Sequence, residues 1–314
     1  MKTHVLAIVA ILLISIDVFS EGFSFSKSRR VGAQSGLSAQ RVIVTGAGGK
    51  TGQLVFEQLQ ASSEFTPVGV VRSEKKAKLL RTKYFATNDQ IIIGDICSSD
   101  ESETAGWMTD AYALVVATSA VPVLKKRSLV KMLAKKFTFQ KVGRPEFRWS
   151  APDGFPENVD YKGQLKQFDA AVSAGVKRIV VCSSMGGTQE DNFLNSIGKQ
   201  EDGSGGDILK WKRKAEQYLV RLKEVSHSIV HPGGLTNKPV PSRKLVVDVN
   251  DALLERKKRQ IYRGDVAAVM VDQLRKTDNN VFDIVSEEVE GGEEGFDMGA
   301  MGEFEKQKEK IYAY

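Results

Sequence analysis

A glycine-rich turn between an apolar strand and a helix is the feature that most restricts the fold of this chain. The turn spans residues 44–52, with the sequence VTGAGGKTG, and follows the apolar run 41–45 directly. Gly46 permits a tight turn, Gly49 lets the backbone approach a pyrophosphate, and Gly52 lets the helix pack closely on the strand. A phosphate would meet free N–H groups at the positive end of the helix. The pattern predicts a dinucleotide site formed by Gly46, Gly48, Gly49, Lys50, Thr51 and Gly52.

Short apolar runs alternate with helical patterns from residue 41 onward. Strands are predicted at 41–45, 67–71, 90–93, 113–117, 178–182 and 228–230. Helices are predicted at 51–60, 74–82, 161–174 and 208–222. The strands are rich in Val and Ile and almost continuously apolar, as buried parallel strands are. This alternation predicts an α/β fold, a doubly wound parallel sheet (Rossmann fold), in a single domain over residues 41–286.

The second and third predicted strands each end at residues suited to a nucleotide. Arg72 lies twenty residues after Gly52, where a site for NAD usually carries an acid that binds the ribose hydroxyls. An arginine there suits the 2′-phosphate of NADP, so NADP (NADPH) is the expected cofactor and NAD is the alternative. Asp95 and Ile96 follow the third strand and would place a carboxylate and a backbone N–H near the adenine.

Several further motifs occur in order along the chain. They are Val71-Arg72-Ser73, Gly94-Asp95-Ile96, Thr118-Ser119-Ala120-Val121-Pro122, Gly143-Arg144-Pro145-Glu146-Phe147, Ser183-Ser184-Met185-Gly186-Gly187, Trp211-Lys212-Arg213-Lys214-Ala215-Glu216 and Pro232-Gly233-Gly234-Leu235. With the glycine turn, they make the chain resemble the atypical short-chain dehydrogenase/reductase group of NmrA-like, NAD(P)-binding proteins. The plant and algal plastid branch of that group is the most similar. The resemblance extends over residues 41–286.

The resemblance implies a role for each matching residue. It implies that Thr118, Ser119 and Ala120 border the nicotinamide ribose. It implies that Ser183 and Ser184 can hydrogen-bond a substrate carbonyl. It implies that Lys214 is catalytic, since it holds the ribose hydroxyls and lowers the pKa of a neighbouring acid. It also implies that Pro232 and Gly233 cover the carboxamide end of the cofactor.

One position departs from the pattern of the catalytic members. They carry a tyrosine four residues before the lysine matched by Lys214, whereas this chain has Lys210 there. Tyr161 and Tyr218 are the nearest phenols along the chain, and neither stands in the expected place. The resemblance therefore implies an oxidoreductase that passes hydride to a small carbonyl or conjugated acceptor. The alternative is a non-catalytic NADP-binding redox sensor or tethering protein of the plastid.

The first forty residues have the composition of a targeting leader. Residues 1–22 contain a short basic start, an apolar stretch at 5–16 and small residues before position 22, as in a signal peptide. Residues 23–40 contain five serines, three basic residues and no acid, as in a transit peptide. Together they predict import into a plastid through a bipartite leader. Secretion is the alternative.

Charge and composition exclude several classes of function. Residues 1–40 carry four of the 45 basic and two of the 39 acidic residues, which leaves a net charge of +4. So small an excess does not indicate nucleic-acid binding. No apolar run reaches the roughly 18–20 residues of a membrane-spanning helix. The basic segment 123–141 could touch an anionic surface, although a solvated insertion is favoured. The acidic segment 287–314 is expected to be mobile.

The remaining candidates point away from metal chemistry. Cys97 and Cys182 are the only cysteines and lie far apart in the sequence. His227 and His231 alternate along one predicted strand and share a face, but no further ligand adjoins them. We expect structural roles for both histidines and no metal site. The sequence does not identify the substrate or the oligomeric state.

Overall fold

A computed structural model describes residues 39–128, 130, 132, 146–150 and 154–306. The predicted leader up to residue 38, most of the basic segment 123–141 and residues 307–314 lie outside the described residues.

The described part of the chain contains one large sheet of nine strands. In chain order these are β1 (Gln40–Thr45), β2 (Phe65–Val71), β3 (Ile91–Ile93), β4 (Ala113–Val116), β7 (Arg178–Cys182), β8 (Ser226–Pro232), β10 (Ser242–Asp248), β12 (Asn280–Glu288) and β13 (Gly295–Asp297). Two small pairs stand apart: β5 (Val123–Leu124) with β6 (Phe147–Arg148), and β9 (Gly234–Thr236) with β11 (Gln260–Tyr262).

Helices cover both faces of the large sheet. They are α1 (Lys50–Gln60), α2 (Glu74–Tyr84), α3 (Glu101–Trp107), α4 (Gly163–Ser173), α5 (Phe193–Ser196), α6 (Ile208–Arg221), α7 (Arg263–Gln273) and α8 (Gly299–Lys306). Two 3₁₀ turns at Asn88–Gln90 and Ala252–Glu255 and a π-helical turn at Glu157–Lys162 complete the described elements.

The strand order confirms a doubly wound parallel sheet. The order is β13-β10-β12-β8-β7-β4-β1-β2-β3, and the seven strands from β12 to β3 run parallel. The order reverses between β1 and β4, and in such sheets ligands bind at the carboxyl ends of the strands beside that reversal. β10 pairs antiparallel with β12 and lies outside the parallel part.

Two apolar layers hold the helices to the sheet. On one face, Phe56 of α1 and Met270 of α7 are fully buried in a core that includes Val42 and Val44. On the other face, Phe168 of α4 and Leu219 of α6 are fully buried in a second core. Because the central strands are covered on both sides, their side chains are apolar at successive positions, which is the pattern seen in the sequence.

The acidic segment after residue 286 differs from the mobile tail expected from its composition. Its described part, up to residue 306, continues β12 to Glu288, adds β13 beside β10, and ends in α8. Met301 is buried in the core under α8, and the ring of Phe304 lies 5.6 Å from that of Phe282. A few apolar side chains spaced along a helix are enough to hold an otherwise acidic segment on the sheet.

Candidate functional site

The glycine turn brings the start of α1 against the end of β4. Gly46 adopts a left-handed conformation (φ +73°), and a Cβ there would lie 2.5 Å from the carbonyl oxygen of Ala117. A Cβ on Gly52 would collide with the carbonyl oxygen of Gly46. Both positions therefore require glycine, as the sequence predicts. The close approaches fix the turn at the point where the strand order reverses.

The amino end of α1 is open to an anion. Gly49 caps the helix without a side-chain hydrogen bond, and the first turn contains no acidic residue. The N–H groups of Lys50 and Thr51 have no partner within the helix, because the first turn of any helix leaves its donors unused. Free donors and the positive end of the helix dipole suit a phosphate group at this place.

Three cations surround the glycine turn. Arg72 follows β2 and is exposed, as is Lys50 at the start of α1. The side chain of Lys76 in α2 lies 3.1 Å from where a Cβ on Gly48 would stand. Within the described residues, none of these three cations makes an ion pair with a carboxylate. The turn therefore lies in a locally positive surface.

Asp95 and Ile96 form a tight turn after β3. Asp95 Oδ1 accepts a hydrogen bond from the N–H of Cys97 (3.0 Å), and its carbonyl accepts one from Ser99 (2.8 Å). Ile96 is buried and packs against Gly163. The structure thus places both residues beside the carboxyl end of β2, because the N–H of Gly94 bonds to the carbonyl of Val71.

The segment after β4 contains a buried hydroxyl with no partner. Thr118 Oγ1 is inaccessible to solvent and, among the described residues, makes no hydrogen bond. Ser119 is exposed, and Ala120 donates its N–H to Asp160 Oδ2 at 2.9 Å. Buried hydroxyls nearly always have a hydrogen-bond partner, so Thr118 fits a ligand at the reversal of strand order.

A buried ion pair lies behind this segment. Lys212 Nζ on α6 is 2.7 Å from Asp160 Oδ1, and both side chains are almost fully buried. The lysine that the resemblance selects, Lys214, is exposed instead, with its ammonium 4.4 Å from the centre of the Trp211 ring. The structure therefore brings Lys212, and not Lys214, to the sheet.

The spacing of the apolar residues along α6 is the sequence pattern that predicts the burial of Lys212. The buried residues of this helix are Leu209, Lys212, Ala215, Glu216 and Leu219. Side chains three, four and seven positions apart lie on one face of a helix, so Lys212 and Glu216 share the face of the two leucines. Lys214 stands off that face. The helical periodicity of Leu209 and Leu219 is thus a better guide to which lysine is buried than the position of Lys214 within the family motif.

The two serines after β7 have different surroundings. Ser183 is buried and its hydroxyl donates to Glu216 Oε1 in a very short hydrogen bond. Ser184 is half-buried, and among the described residues its hydroxyl donates only to the adjacent Met185 carbonyl (3.0 Å). Ser184 therefore has the more accessible hydroxyl, whereas the hydroxyl of Ser183 is bonded to Glu216.

Glu216 continues into a chain of buried titratable groups. Its Oε2 lies 3.2 Å from His231 Nε2, and His231 Nδ1 lies 3.2 Å from Asp283 Oδ1. Burial disfavours a charged imidazole, but the two carboxylates outweigh it and raise the pKa of His231 to about 9. Burial raises the pKa of Asp283, and His231 partly offsets that rise. For Glu216, burial opposes ionisation, yet His231 and Ser183 lower its pKa.

Asp251 links this chain of groups to the loop after β7. Its N–H donates to Asp283 Oδ2 (2.6 Å), while its own carboxylate accepts from Gly186 (2.6 Å) and from both donors of Thr188. Pro232 also contacts this loop, since its carbonyl accepts from the N–H of Met185 (3.3 Å). The loop is thereby fixed at both β8 and the turn after β10.

Gly233 lies at the carboxyl end of β8. Its N–H donates to the carbonyl of Ile284 at 2.9 Å, and a Cβ there would collide with the carbonyl of Arg259. Pro232 and Gly233 thus lie at the same edge of the sheet as the other predicted site residues.

The phenols near α6 point elsewhere. Tyr218 donates its hydroxyl to Asp169 at 2.6 Å, and this bond raises its pKa to about 12. The ring of Tyr161 lies 5.7 Å from that of Trp211, under Lys214. Position 208, four residues before Lys212, is an isoleucine, and Lys210 is exposed. Neither position supplies a phenol four residues before a lysine of α6.

A wide cavity borders the loop after β7. Its volume is about 1040 Å³, and its walls include Phe147, Trp149, Phe155 and Phe193. Trp149 is held by a very short hydrogen bond from its indole N–H to the carbonyl of Gly205. The mixture of aromatic and charged lining residues suits a flat organic molecule with a polar edge.

Two further classes of site were sought. No cluster of three or more His, Cys, Asp or Glu side chains that could hold a metal occurs within the described residues. In the same residues, no helix is long and apolar enough to cross a membrane.

Comparisons with known proteins bear on the nucleotide site. Residues 46–277 match a family model described as NAD(P)H-binding. An uncharacterized chloroplastic protein of Arabidopsis thaliana is 42% identical over 255 residues, which are 79% of this chain and 71% of that protein. Sanguinarine reductase of Eschscholzia californica is 37% identical over 278 residues, 83% of this chain and 94% of the reductase.

A solved structure has the same fold. A protein of Bacillus halodurans described as a candidate NAD-dependent epimerase/dehydratase superposes with a TM-score of 0.59 at 21% identity. The match covers 85% of this chain and 100% of that one.

Proposed function

The chain belongs to the NAD(P)H-binding family, and we propose that it is an NADP(H)-dependent oxidoreductase that reduces a small carbonyl or conjugated acceptor. The observation that carries the proposal is the glycine turn at the start of α1, which lies beside the unpartnered hydroxyl of Thr118. The similarity to sanguinarine reductase, which extends over most of both chains, supports reduction as the type of reaction.

Each part of the site has a proposed task. The amino end of α1 binds the pyrophosphate, and Asp95 and Ile96 border the adenine. Thr118 hydrogen-bonds the ribose of the nicotinamide half, where the buried charge of Lys212, held by Asp160, also acts. Bound NADPH supplies the hydride. Ser184 donates a hydrogen bond to the acceptor oxygen, where negative charge develops.

The unpaired cations near the turn favour NADP over NAD. Arg72 and Lys76 carry charges that no described carboxylate neutralises, so a 2′-phosphate gains ion pairs that a 2′-hydroxyl does not. Calorimetric titration of residues 39–314 with NADPH and NADH tests this preference. In Arg72→Ala we expect NADPH affinity to fall about tenfold or more, with little change for NADH.

A control on α2 separates local from general charge effects. Lys78 is exposed on the same helix as Lys76, about 200° around its axis. Lys78→Ala removes the same charge and should leave NADPH affinity nearly unchanged. Equal losses in Arg72→Ala and Lys78→Ala would contradict a specific 2′-phosphate site. No binding of either nucleotide would contradict the proposed function as a whole.

A non-catalytic redox sensor remains the second candidate, because position 208, four residues before the buried lysine, is an isoleucine. The Tyr218 hydroxyl donates to Asp169, and the ring of Tyr161 packs at a tilt against Trp211. Tight NADPH binding without reduction of any aldehyde, ketone, quinone or iminium acceptor would favour the sensor.

We also propose that the protein works in a plastid. A relative that covers most of this chain is chloroplastic, and residues 1–40 have the composition of a bipartite leader. A fluorescent protein fused to residues 1–40 should enter the plastid of an alga with a secondary plastid. Secretion of the fusion would contradict this proposal and support an ordinary signal peptide.

A further inference from the structure

The reduction of a carbonyl needs a proton as well as a hydride. In the proposed function the hydride reaches the carbonyl carbon from NADPH, and the oxygen must gain a proton to become a hydroxyl. Position 208 is Ile208, the Tyr218 hydroxyl is bonded to Asp169, and the Tyr161 ring lies 5.7 Å from that of Trp211. Titratable groups buried at the carboxyl edge of the sheet offer another source of the proton.

We infer that the buried chain Ser183–Glu216–His231–Asp283 stores that proton and delivers it to the acceptor through the hydroxyl of Ser183. The four side chains are consecutive neighbours. Ser183 donates to Glu216 Oε1, Glu216 Oε2 lies 3.2 Å from His231 Nε2, and His231 Nδ1 lies 3.2 Å from Asp283 Oδ1. This inference rests on the proposed function and supplies its missing acid.

The position of the chain in the sheet makes it rigid. His231 and Asp283 are aligned partners on the parallel strands β8 and β12, and Ser183 follows β7, the next strand. Glu216 reaches them from the buried face of α6. All four side chains are less than a tenth exposed, so water does not compete for their contacts. Groups fixed in this way transfer protons with little rearrangement of their surroundings.

The charged groups around His231 keep its imidazole protonated. Glu216 faces it from α6 and Asp283 from β12; Asp251 adds its backbone N–H at Asp283, and Arg213 lies 3.9 Å from Glu216. The two adjoining carboxylates favour the charged ring over the neutral one. A proton is thus stored at pH values where an ordinary histidine has lost it.

The proton steps balance. The Ser183 hydroxyl turns from Glu216 to the acceptor oxygen and gives it a proton. The Glu216 carboxylate takes a proton from His231 Nε2 at Oε2 and, after the carboxyl group rotates, delivers that proton to Ser183 Oγ. The acceptor gains one hydride and one proton, and His231 becomes neutral. After the product leaves, water at the open site reprotonates His231 by the same route in reverse.

Two acceptors separate proton delivery from hydride transfer. Reduction of 4-nitrobenzaldehyde consumes a hydride and a proton, whereas N-methylacridinium takes only a hydride. In His231→Gln we expect the aldehyde turnover number to fall about a hundredfold at pH 8, with acridinium reduction roughly unchanged. Ser183→Ala should show the same selective loss and serves as the second variant if His231→Gln does not fold.

In the wild type, aldehyde turnover should fall as pH rises through about 9, and acridinium turnover should not.

His227→Gln is the matched control. His227 is a buried histidine on the same face of β8, and burial, with the charge of Arg178, lowers its pKa to about 4. It has no contact with Ser183 or Glu216 among the described residues, so its removal should leave the ratio of the two activities roughly unchanged.

The outcomes are distinct. Equal losses for both acceptors in His231→Gln would show a structural role and overturn the relay. Aldehyde reduction unaffected by His231→Gln and Ser183→Ala would overturn it as well. A wild type that reduces acridinium but not the aldehyde would keep the hydride-transfer function and overturn the relay. Reduction of neither acceptor would remove the proposed function, and the relay with it.

A spectroscopic measurement tests the stored proton without turnover. The ¹⁵N NMR shifts of the imidazole nitrogens in His227→Gln should identify a charged His231 ring at pH 8. A neutral ring at that pH would overturn the relay whatever the activities show.

Discussion

Lys212 Nζ lies 2.7 Å from Asp160 Oδ1, and the two side chains are buried together, with Asp160 also bonded to the N–H of Ala120 after β4. A buried ion pair adds little to stability as a whole, but the loss of one partner leaves an isolated charge in the protein interior. The ion pair can therefore be recognised by comparing the free energies of unfolding of single and double variants.

Replacement of the lysine alone should be costly. We expect Lys212→Met to lower the free energy of unfolding by about 3 kcal/mol, because Asp160 becomes an unpaired buried carboxylate. The double variant Asp160→Asn/Lys212→Met should recover most of that loss. Lys214→Met changes an exposed lysine that lies on the half-buried Trp211 ring, so its effect should be about 0.5 kcal/mol. Urea denaturation of the three variants measures these differences, and equal effects for Lys212 and Lys214 would refute the buried assignment.

The glycine turn provides a second test. In Gly52→Ala the new methyl group would collide with the carbonyl of Gly46, which the sheet holds in place. We expect a loss of about 2 kcal/mol in stability, together with weaker NADPH binding. Gly106→Ala is the control, because a Cβ there meets no atom within 4 Å. It lies in a helix and should stabilise the protein by about 0.5 kcal/mol. Thermal unfolding and calorimetry report the two effects, and unchanged nucleotide binding in Gly52→Ala would argue against the site.

The two buried histidines predict a stability maximum near pH 6.5. The pKa of His231 is raised to about 9, so its contribution is complete below pH 6.5 and is lost as pH rises from 6.5 through 9. The pKa of His227 is lowered to about 4, so its burial costs stability as pH falls from 6.5 through 4. Unfolding temperatures across pH 4.5–9.5 should decline on both sides.

Single variants assign each side of that profile. His231→Gln should flatten the alkaline decline, and His227→Gln should flatten the acid decline. A profile whose alkaline side is unaltered in His231→Gln would mean that this histidine is not charged in the folded state.

The helix α8 yields a fourth prediction. Met301 is buried beneath it although the surrounding sequence is acidic. Met301→Ala should lower the free energy of unfolding by about 2 kcal/mol and the unfolding temperature by about 5 °C. Glu303 is exposed on the same helix, so Glu303→Ala should change stability by less than about 0.5 kcal/mol. Indistinguishable unfolding curves for both variants would show that α8 does not add to the core.

The sequence predicts those parts of the fold that depend on residues close together in the chain. Gly46 and Gly52 are required by backbone contacts within one strand–turn–helix unit, and the strands are recognised by their continuous apolar runs. The ion pair between Lys212 and Asp160 is harder to predict from the sequence, because it joins residues on different helices. The phase of Leu209 and Leu219 does predict that Lys212 is buried, but it does not reveal the partner.

The contact between His231 and Asp283 lies beyond local reasoning. The two residues are 52 positions apart, and only the parallel register of β8 and β12 aligns them. A shared strand face indicates that His227 and His231 point the same way. It does not indicate that one ring contacts two carboxylates while burial and the charge of an arginine lower the pKa of the other. Their opposite pKa shifts come from the neighbouring elements and not from their own strand.

Asp251 fastens the loop after β7 to β12 and the turn after β10, at a distance in sequence from the nucleotide-binding strands β1 and β2. The two halves of the site are thus anchored to separate parts of the sheet. Substitutions around residues 186–207 and 249–255 therefore leave the contacts of the glycine turn with the end of β4 in place. Under the proposed function, the acceptor side of the site can change while its nucleotide side is kept.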